Sequence, residues 1–405
     1  MVENNMYSDF AMFIIYVIVF WIILYIIYKK LRLDRFNIEF KSYVLVMWRT
    51  KKLNNVIYTI ATSFRKFWKI LFTIGIFLAI GKICFTLNFL INNVVSYLTR
   101  KVVMQPVVPL IPGFTISTSS IHYFLLSVIA VFIIHEFAHG IAAIVEKLNI
   151  KSIGVFLALF IGGGFVELDE NELSSANLIS KLRVLASGST ANLITGILAI
   201  LIITNFTLAI SPFYGSSSGV IVVEVIENSP AKIYGIKPGD IIFKINGIEI
   251  INSSEFSNVL SGIRPNSLVI LTTARGDIEV IGGSHPNNPL RVFLGIRVFN
   301  YHPPKFLPYI FTPDLPYHYY NFLNWFQVIS ISAALINMLP IQFFDGGRFF
   351  DVLLNNSRLS LITISIRGQK VNFSRVILET LKFLSLTLLI LNISQSMLLG
   401  NMLLR

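Results

Sequence analysis

The stretch VFIIHEFAHGIAAIVEKL, from Val131 to Leu148, decides how the rest of this sequence is interpreted. It begins as an apolar run and contains two histidines, His135 and His139, next to an acidic residue, Glu136. A charged side chain at the centre of a membrane helix costs about 2.5–3.5 kcal/mol. Either this segment lies outside a membrane, or a partner compensates these side chains inside one.

The composition favours the membrane. Of the 405 residues, 54% are hydrophobic and 13% are charged, and the mean hydropathy is +0.71, whereas soluble chains contain about 25% charged residues. The sequence therefore predicts a polytopic α-helical membrane protein with about six transmembrane helices, because six runs approach or exceed the roughly 20 residues that cross a bilayer. The predicted spans are Phe10–Tyr28, Ile70–Val95, Ser119–Leu148, Leu185–Ile210, Tyr319–Phe344 and Phe383–Leu404.

The basic residues predict the orientation of these spans. Eleven Lys and Arg residues lie between Lys29 and Lys69, and others, including Arg348, follow the fifth span. Basic loops stay in the cytoplasm, so both of these loops are expected there, with 211–318 outside a cell membrane that the chain crosses several times. The net charge of +12 then reflects topology, and we expect the lipid bilayer as a partner and no nucleic acid.

One segment has the composition of a small soluble domain. Between Gly219 and Val298 short β-type runs alternate with turns, Asn246-Gly247 marks a hairpin, and Ser254 is a candidate N-cap of a helix. The pattern resembles a PDZ domain of the kind attached to bacterial and archaeal membrane proteases. The matching residues are Gly219-Val220-Ile221-Val222, Ser229-Pro230-Ala231, Gly235-Ile236-Lys237-Pro238-Gly239-Asp240 and Ile245-Asn246-Gly247.

Such a domain leaves a strand edge open for an extended peptide. The alternative is a closed groove, in which case the domain only restricts access to the membrane part. Both interpretations stay open, because a fold does not establish a binding function.

His-Glu-x-x-His on a helix is the pattern of a zinc site in which the glutamate is the general base. On a helix, His135 and His139 share one face, and Glu136 stands beside them. The alternative is two core histidines beside a buried acid, which the cost of ionisable groups in a membrane disfavours. The single cysteine, Cys84, excludes a cysteine-rich zinc site.

A catalytic zinc keeps three protein ligands and one water, so a third ligand is required. Asp345 is the first candidate. It directly follows the fifth predicted span, on the same side of the membrane to which the third predicted span brings the two histidines. Gly346-Gly347 after it allow close backbone approach. Glu167 is the second candidate.

These residues resemble the site-2 protease family, the intramembrane zinc metalloproteases of peptidase family M50, over most of the chain from about Ser119. The residues 135–139 match the family's HExxH, and Asn337 to Pro340 with Asp345-Gly346 match its Asn-x-x-Pro…Asp-Gly motif, whose aspartate is the third zinc ligand. Phe344 stands where the family often has leucine.

Two further elements extend this resemblance. Gly188 and Asn192 resemble the family's Gly-x-x-x-Asn element, although the commoner Gly-Pro start is Gly188-Ser189 here. The segment FIGGGFVELDE, Phe160 to Glu170, resembles its membrane-inserted β-hairpin, whose edge receives the substrate backbone.

The resemblance implies an intramembrane protease with Zn²⁺ on His135, His139 and Asp345, and with Glu136 as the catalytic base. Its substrate would be a transmembrane segment of another protein, cleaved on the cytoplasmic side. Asn192 and Asn337 would bind substrate backbone or an oxyanion, or else only join helices by hydrogen bonds worth about 0.6 kcal/mol.

The predicted fold class is thus a polytopic α-helical membrane protein with an inserted membrane β-hairpin and one small extracytoplasmic PDZ-like β/α domain, which filters substrates by size or binds peptide. The predicted divisions are 1–100 with two transmembrane helices and a basic loop, 115–212 and 304–405 as halves of the catalytic core, and 216–303 as the PDZ-like domain. Two other functions remain, a membrane-anchored PDZ adaptor with an inactive metal site and a zinc protease of the prenyl-protein type, in which a glutamate is the third ligand.

Overall fold

The structure, a computed structural model, describes residues 2–99, 107–111, 115–158, 161–286, 288–366 and 369–403. Residues 1, 100, 159, 160, 287, 367, 368, 404 and 405 of the predicted divisions lie outside these residues. Among them are Phe160 of the predicted hairpin and Leu404 of the sixth predicted span. The helices are α1 Val2–Leu31, α2 Lys52–Ser63, α3 Arg65–Leu98, α4 Ile121–Val145, α5 Glu170–Ser175, α6 Leu178–Thr204, α7 Phe206–Ile210, α8 Pro230–Ile233, α9 Ser253–Ser261, α10 Leu315–Ile336, α11 Asp345–Asn355 and α12 Phe373–Leu403. The strands are β1 Ile38–Ser42, β2 Leu45–Thr50, β3 Ile150–Ala158, β4 Ile161–Leu168, β5 Val220–Val225, β6 Ile241–Ile245, β7 Ile248–Glu249, β8 Leu268–Thr273, β9 Gly276–Ile281, β10 Gly283–His285, β11 Asn288–Phe293, β12 Ile296–Asn300, β13 Thr363–Ile366 and β14 Gln369–Asn372.

The chain forms two compact units, Met1–Ile197 with Phe326–Arg405, and Leu198–Trp325. Within the described residues, four helical segments are long and apolar enough to cross a membrane: Arg65–Leu98, Thr118–Val145, Leu178–Thr204 and Phe373–Leu398. They correspond to the second, third, fourth and sixth predicted spans. The first and fifth predicted spans coincide with α1 and α10, which are helical, and their crossing of a membrane stays a prediction.

The fifth predicted span is not one continuous helix. The helix α10 ends at Ile336, the following residues through Phe344 are irregular, and α11 begins at Asp345. Pro340 lies within the break, and proline has no N–H to donate and disfavours helical backbone in the residue before it. The Gly346 N–H donates to the Asn337 carbonyl at 2.9 Å, which closes the break into a compact turn.

The predicted hairpin at 160–169 is wrong in its extent, because this segment contributes one strand, β4. Its partner is β3, and Ile153 pairs with Val166 across the two strands. The sheet continues to β2 and β1 in the order β1-β2-β3-β4. In β2, Arg49 pairs with Gly154 of β3. The strand β2 thus comes from the N-terminal region, before Ser119, where the family resemblance begins.

The helix that carries the two histidines is supported by the segment before it. Ile57 of α2 is fully buried against α4, where a Cβ on Gly140 would lie 2.8 Å from the Ile57 Cδ1 atom. Arg65, at the start of α3, donates from Nε and Nη2 to the Val145 carbonyl at 3.2 and 2.6 Å. The last turn of a helix leaves carbonyls without partners, so this arginine caps α4.

The second unit contains the PDZ-like domain. Its sheet has the strand order β12-β5-β6-β8-β9, with β7 paired to β6. The predicted strands and the Asn246-Gly247 turn are confirmed, and both turn residues have positive φ, 48° and 80°, as a two-residue hairpin of this type requires. The predicted N-cap Ser254 is wrong, because the Asn252 side chain accepts from the Glu255 N–H and caps α9. The hairpin of β10 and β11 was not predicted.

An ion pair between the buried Asp240 and the exposed Arg275 fixes the turn that precedes β6. The Asp240 carboxylate accepts from Arg275 Nε at 2.7 Å and from the Lys237 N–H at 2.8 Å. The hydrogen bond to Asp240 raises the pKa of the Arg275 guanidinium above its ordinary value. The aspartate that ends the Gly235–Asp240 motif therefore has a structural role.

The core of this domain predicts a local stability effect. Leu271 is fully buried in a cluster whose members all lie between Val220 and Val298. In a fragment of residues 216–303, Leu271→Ala should destabilise by about 2–5 kcal/mol and lower the midpoint of thermal unfolding by about 10 °C or more. Leu290→Ala is the matched control, since Leu290 is 86% exposed, and it should shift the midpoint by no more than a few degrees. Equal shifts for the two variants would contradict the described core.

Candidate metal centre

Three predicted ligands come together in the structure. His135 and His139 lie one turn apart on α4, and Asp345 is the first residue of α11. The Nε2 atoms of the two imidazoles are 3.1 Å apart, and each lies 3.1 Å from the Asp345 Oδ2 atom. Among the described residues, this is the group of three His, Cys, Asp or Glu side chains that can hold a metal ion.

The dimensions of this triangle suit zinc. Zinc bonds of about 2.0–2.2 Å to nitrogen and oxygen in a tetrahedron place neighbouring ligand atoms about 3.4 Å apart. The observed edges of 3.1 Å are close to this value. Two imidazoles and a carboxylate would occupy three corners of such a tetrahedron and leave the fourth for water, which is the ligand set of a catalytic rather than a structural zinc site.

The helix α6 makes room for the two imidazoles. A Cβ on Gly188 would lie 2.5 Å from His139 Nε2 and 2.7 Å from His135 Nε2, so any larger residue here would overlap the ligand atoms. One turn earlier, the Val184 carbonyl lies 2.8 Å from His139 Nδ1. Gly188 was predicted from its motif, whereas Val184, which contributes only its backbone, was missed. On a helix, a residue four positions before Gly188 lies on the same face, and this spacing is the sequence signal that could have identified Val184.

Glu136 lies between the ligands and the sheet. Its Oε2 atom accepts from the Val166 N–H of β4 at 3.0 Å. The contact is close, because a Cβ on Gly164 would be 3.0 Å from the Glu136 Cγ atom. The carboxylate is therefore held beside the metal ligands by the backbone of an edge strand.

Glu167, the alternative third ligand, is directed elsewhere. Its Oε2 atom accepts from Ser152 Oγ at 2.6 Å and lies 3.7 Å from Arg49 Nε. Successive side chains of a strand point to opposite faces, so Glu167 lies on the face opposite to that of Val166. The structure brings Asp345 to the histidines and does not bring Glu167 there.

The two predicted asparagines occupy different positions around His135. Asn337 Nδ2 lies 3.1 Å from His135 Nε2, the ring nitrogen that faces the other ligands. Asn192 Nδ2 lies 3.1 Å from His135 Nδ1, which is on the other side of the ring. Asn337 is thus on the side of the His135 ring that faces the triangle, and Asn192 is on the opposite side.

A buried lysine stands behind α6. Lys82 of α3 is 5% exposed, and its Nζ atom donates to Ser189 Oγ at 2.6 Å. Ser189 Oγ in turn donates to the Ala334 carbonyl of α10 at 2.8 Å. This chain of bonds joins three helices next to Gly188. In the sequence, Lys82 was recognisable as the single charged residue of the second predicted span.

Comparisons with known proteins identify a family that matches more than half of the chain. The sequence profile of peptidase family M50 matches residues 123–378. A membrane-bound transcription factor site-2 protease homolog of Arabidopsis thaliana is 28% identical over 209 residues, which are 51% of this chain and 40% of that protein, so the chain spans less than half the length of this relative. An uncharacterized protein of Methanocaldococcus jannaschii is 26% identical over 346 residues, 82% of each chain. Among solved structures, the PDZ domain of an SdrC-like protein from Listeria monocytogenes is 20% identical with a TM-score of 0.19, and it covers 20% of this chain and 90% of that domain.

The position of Gly188 predicts that it cannot accept a side chain. Gly188→Ala should weaken zinc binding by about 10-fold or more, as loss of a supporting contact does, because the added methyl overlaps both Nε2 atoms. Zinc affinity is measured by competition with a chelator in detergent micelles.

Gly81→Ala in α3 is the matched control, since a Cβ there meets nothing within 4 Å. It should bind zinc normally and unfold at the same or a higher temperature, because alanine stabilises helices relative to glycine by about 0.5–1 kcal/mol. Undiminished zinc affinity in Gly188→Ala would contradict the described packing of α6 on the imidazoles.

Proposed function

This chain belongs to peptidase family M50, and on that basis we propose that it is a zinc-dependent intramembrane protease that hydrolyses a peptide bond within a transmembrane segment of another protein. The observation that carries the proposal is the triangle of His135, His139 and Asp345. Its two histidines and Glu136 lie on a helical segment apolar enough to cross a membrane, Thr118–Val145. Ionisable groups in such helices are expensive and are a mark of function.

The strand β4 is proposed to hold the substrate. A transmembrane helix hides its carbonyls in i→i−4 hydrogen bonds, so cleavage requires an extended segment. The strand β4 is at the edge of its sheet, and an extended peptide adds to such an edge through backbone hydrogen bonds. Its residues Gly162, Gly163 and Gly164 carry no side chains, which leaves space for those of the substrate, next to Glu136.

The residues around the triangle suit peptide hydrolysis. When bound, Zn²⁺ lowers the pKa of its water to about 7 and polarises the scissile carbonyl. The Glu136 carboxylate, within one turn of both histidines, takes the proton of the attacking water and delivers it to the leaving amine. The Asn337 amide, beside His135 Nε2, donates a hydrogen bond to the developing oxyanion.

The distribution of basic residues supports an orientation for this chemistry. With the basic loops in the cytoplasm of a cell membrane, the metal ligands lie towards the cytoplasmic side, from which water reaches them. The PDZ-like domain then lies outside and acts as a size filter or peptide binder for substrates that have already been shortened. Transmembrane proteins whose outer part has already been shortened are therefore the proposed substrates and partners.

Glu136→Gln tests the catalytic base. The amide keeps the shape of the side chain but accepts no proton, so cleavage of a model transmembrane substrate in proteoliposomes should fall by at least about 100-fold. Zinc stoichiometry should be unchanged, because Glu136 is not part of the ligand triangle. Cleavage at the wild-type rate would remove Glu136 from the mechanism.

The third ligand is tested by a matched pair of variants. Asp345→Ala should lose stoichiometric zinc in the purified protein, because two imidazoles alone remain. Glu167→Ala should retain it, because Glu167 binds Ser152 instead. The opposite pattern would support a prenyl-protein type of site, and a wild-type protein without stoichiometric zinc would support the PDZ adaptor.

A further inference from the structure

One face of α6 lies against both imidazoles. Val184, Gly188 and Asn192 follow one another at intervals of four residues, so they form a single row along the helix. Val184 contacts His139, Asn192 contacts His135, and Gly188 lies between them with no side chain. The two ends of the row, Val184 and Asn192, therefore contact the Nδ1 atoms, which do not form the triangle, and Gly188 leaves space for the two Nε2 atoms that do.

The His139 half of this support fixes a tautomer. A carbonyl oxygen only accepts hydrogen bonds, so the Val184 carbonyl, 2.8 Å from Nδ1, holds the proton of His139 on that nitrogen. The Nε2 atom then has a free lone pair directed to the triangle. An outer hydrogen bond of this kind orients most metal-binding histidines.

His135 has the same requirement but a different partner. For its Nε2 atom to bind a metal, its Nδ1 atom must carry the proton and needs an acceptor. The group at 3.1 Å from Nδ1 is the Asn192 amide nitrogen, which is itself a donor. Asn192 is 1% exposed, and its Oδ1 atom is buried with no hydrogen-bond partner among the described residues.

We propose that Asn192 is a positioning residue whose Oδ1 atom accepts the Nδ1 proton of His135 when the site binds zinc. Rotation of the Asn192 amide by half a turn exchanges its oxygen and nitrogen. The protonated Nδ1 atom of His135 then faces an acceptor instead of a second donor, and the buried Oδ1 atom gains a hydrogen-bond partner. The inference rests on the proposed zinc site and assigns to Asn192 a role different from substrate or oxyanion binding.

The location of Asn192 favours this role over the two considered from the sequence. The His135 ring separates Asn192 from the triangle, because Asn192 lies at Nδ1 and the ligands lie at Nε2. A donor to the oxyanion must reach the metal side of the ring, where Asn337 lies. A role in helix packing alone does not account for an amide placed against a ligand nitrogen.

Two substitutions separate an acceptor from a donor at this position. Asn192→Leu removes both functions at nearly constant volume, and Asn192→Asp keeps an oxygen acceptor while it removes the donor. The full-length chain is purified in detergent, and its zinc dissociation constant is measured by competition with a chelator. Asn324→Leu in α10 is the matched control, since, within the part of the chain that the structure describes, the Asn324 amide donates to the Tyr320 carbonyl of its own helix and to no other group.

We expect Asn192→Leu to weaken zinc binding by about 10–100-fold, Asn192→Asp to bind zinc at least as tightly as the wild type, and Asn324→Leu to change it by less than about 3-fold. The midpoint of thermal unfolding without added zinc should be similar for Asn192→Leu and Asn324→Leu, which shows that the loss lies in the metal site and not in the fold.

Wild-type zinc affinity in Asn192→Leu would overturn the proposal, and so would an Asn192→Asp protein that binds zinc as weakly as Asn192→Leu, because the amide would then act as a donor. These measurements do not involve proteolysis. A wild-type chain that binds zinc but cleaves no transmembrane substrate would therefore refute the proposed function and leave the role of Asn192 standing.

Discussion

The cost of placing a carboxylate and two imidazoles among apolar helices is the constraint on which the rest of the structure depends. An isolated ionisable group is unfavourable there, but His135, His139 and Asp345 lie within 3.1 Å of one another and compensate each other. Their assembly needs a helix on which two ligands share a face and a second element that delivers the third. It also needs a gap in the neighbouring helix, which Gly188 provides.

Two departures from regular helix serve this assembly. The break between Ile336 and Asp345 turns the chain so that an aspartate begins a new helix beside the histidines, and the strand β4 brings the Val166 N–H to Glu136. Non-helical backbone at membrane depth is tolerated where protein or a water-filled cavity surrounds it. Both departures border the proposed site, where water and an extended substrate are required.

The residues before the matched family segment also contribute to the site. Strands β1 and β2 extend the sheet on the side of β3 that lies away from Glu136, so β4 remains the edge next to it. Arg65 caps the helix of the histidines, and Lys82 links α3 to Ser189, the neighbour of Gly188. Residues that precede the matched segment 123–378 thus make direct contacts with the elements that carry or adjoin the candidate metal ligands.

The amino-acid sequence predicts the candidate metal site, because helical spacing puts His135 and His139 on one face, and the apolar composition of that helix is typical of a membrane span. It also determined most of the PDZ-like strands, whose alternation and turn residues are local signals. It left Asp345 and Glu167 open as third ligands, gave the hairpin the wrong extent and missed β1 and β2. The third ligand depends on a contact between segments far apart in the chain, and so does the pairing of β2 with β3. The β1–β2 and β3–β4 hairpins are local, and the sequence interpretation missed the first and misplaced the boundaries of the second. Only the tertiary structure shows that Glu167 faces Ser152 and that Asn192 lies behind His135, because the direction of a side chain is set by the strand or helix that packs against it.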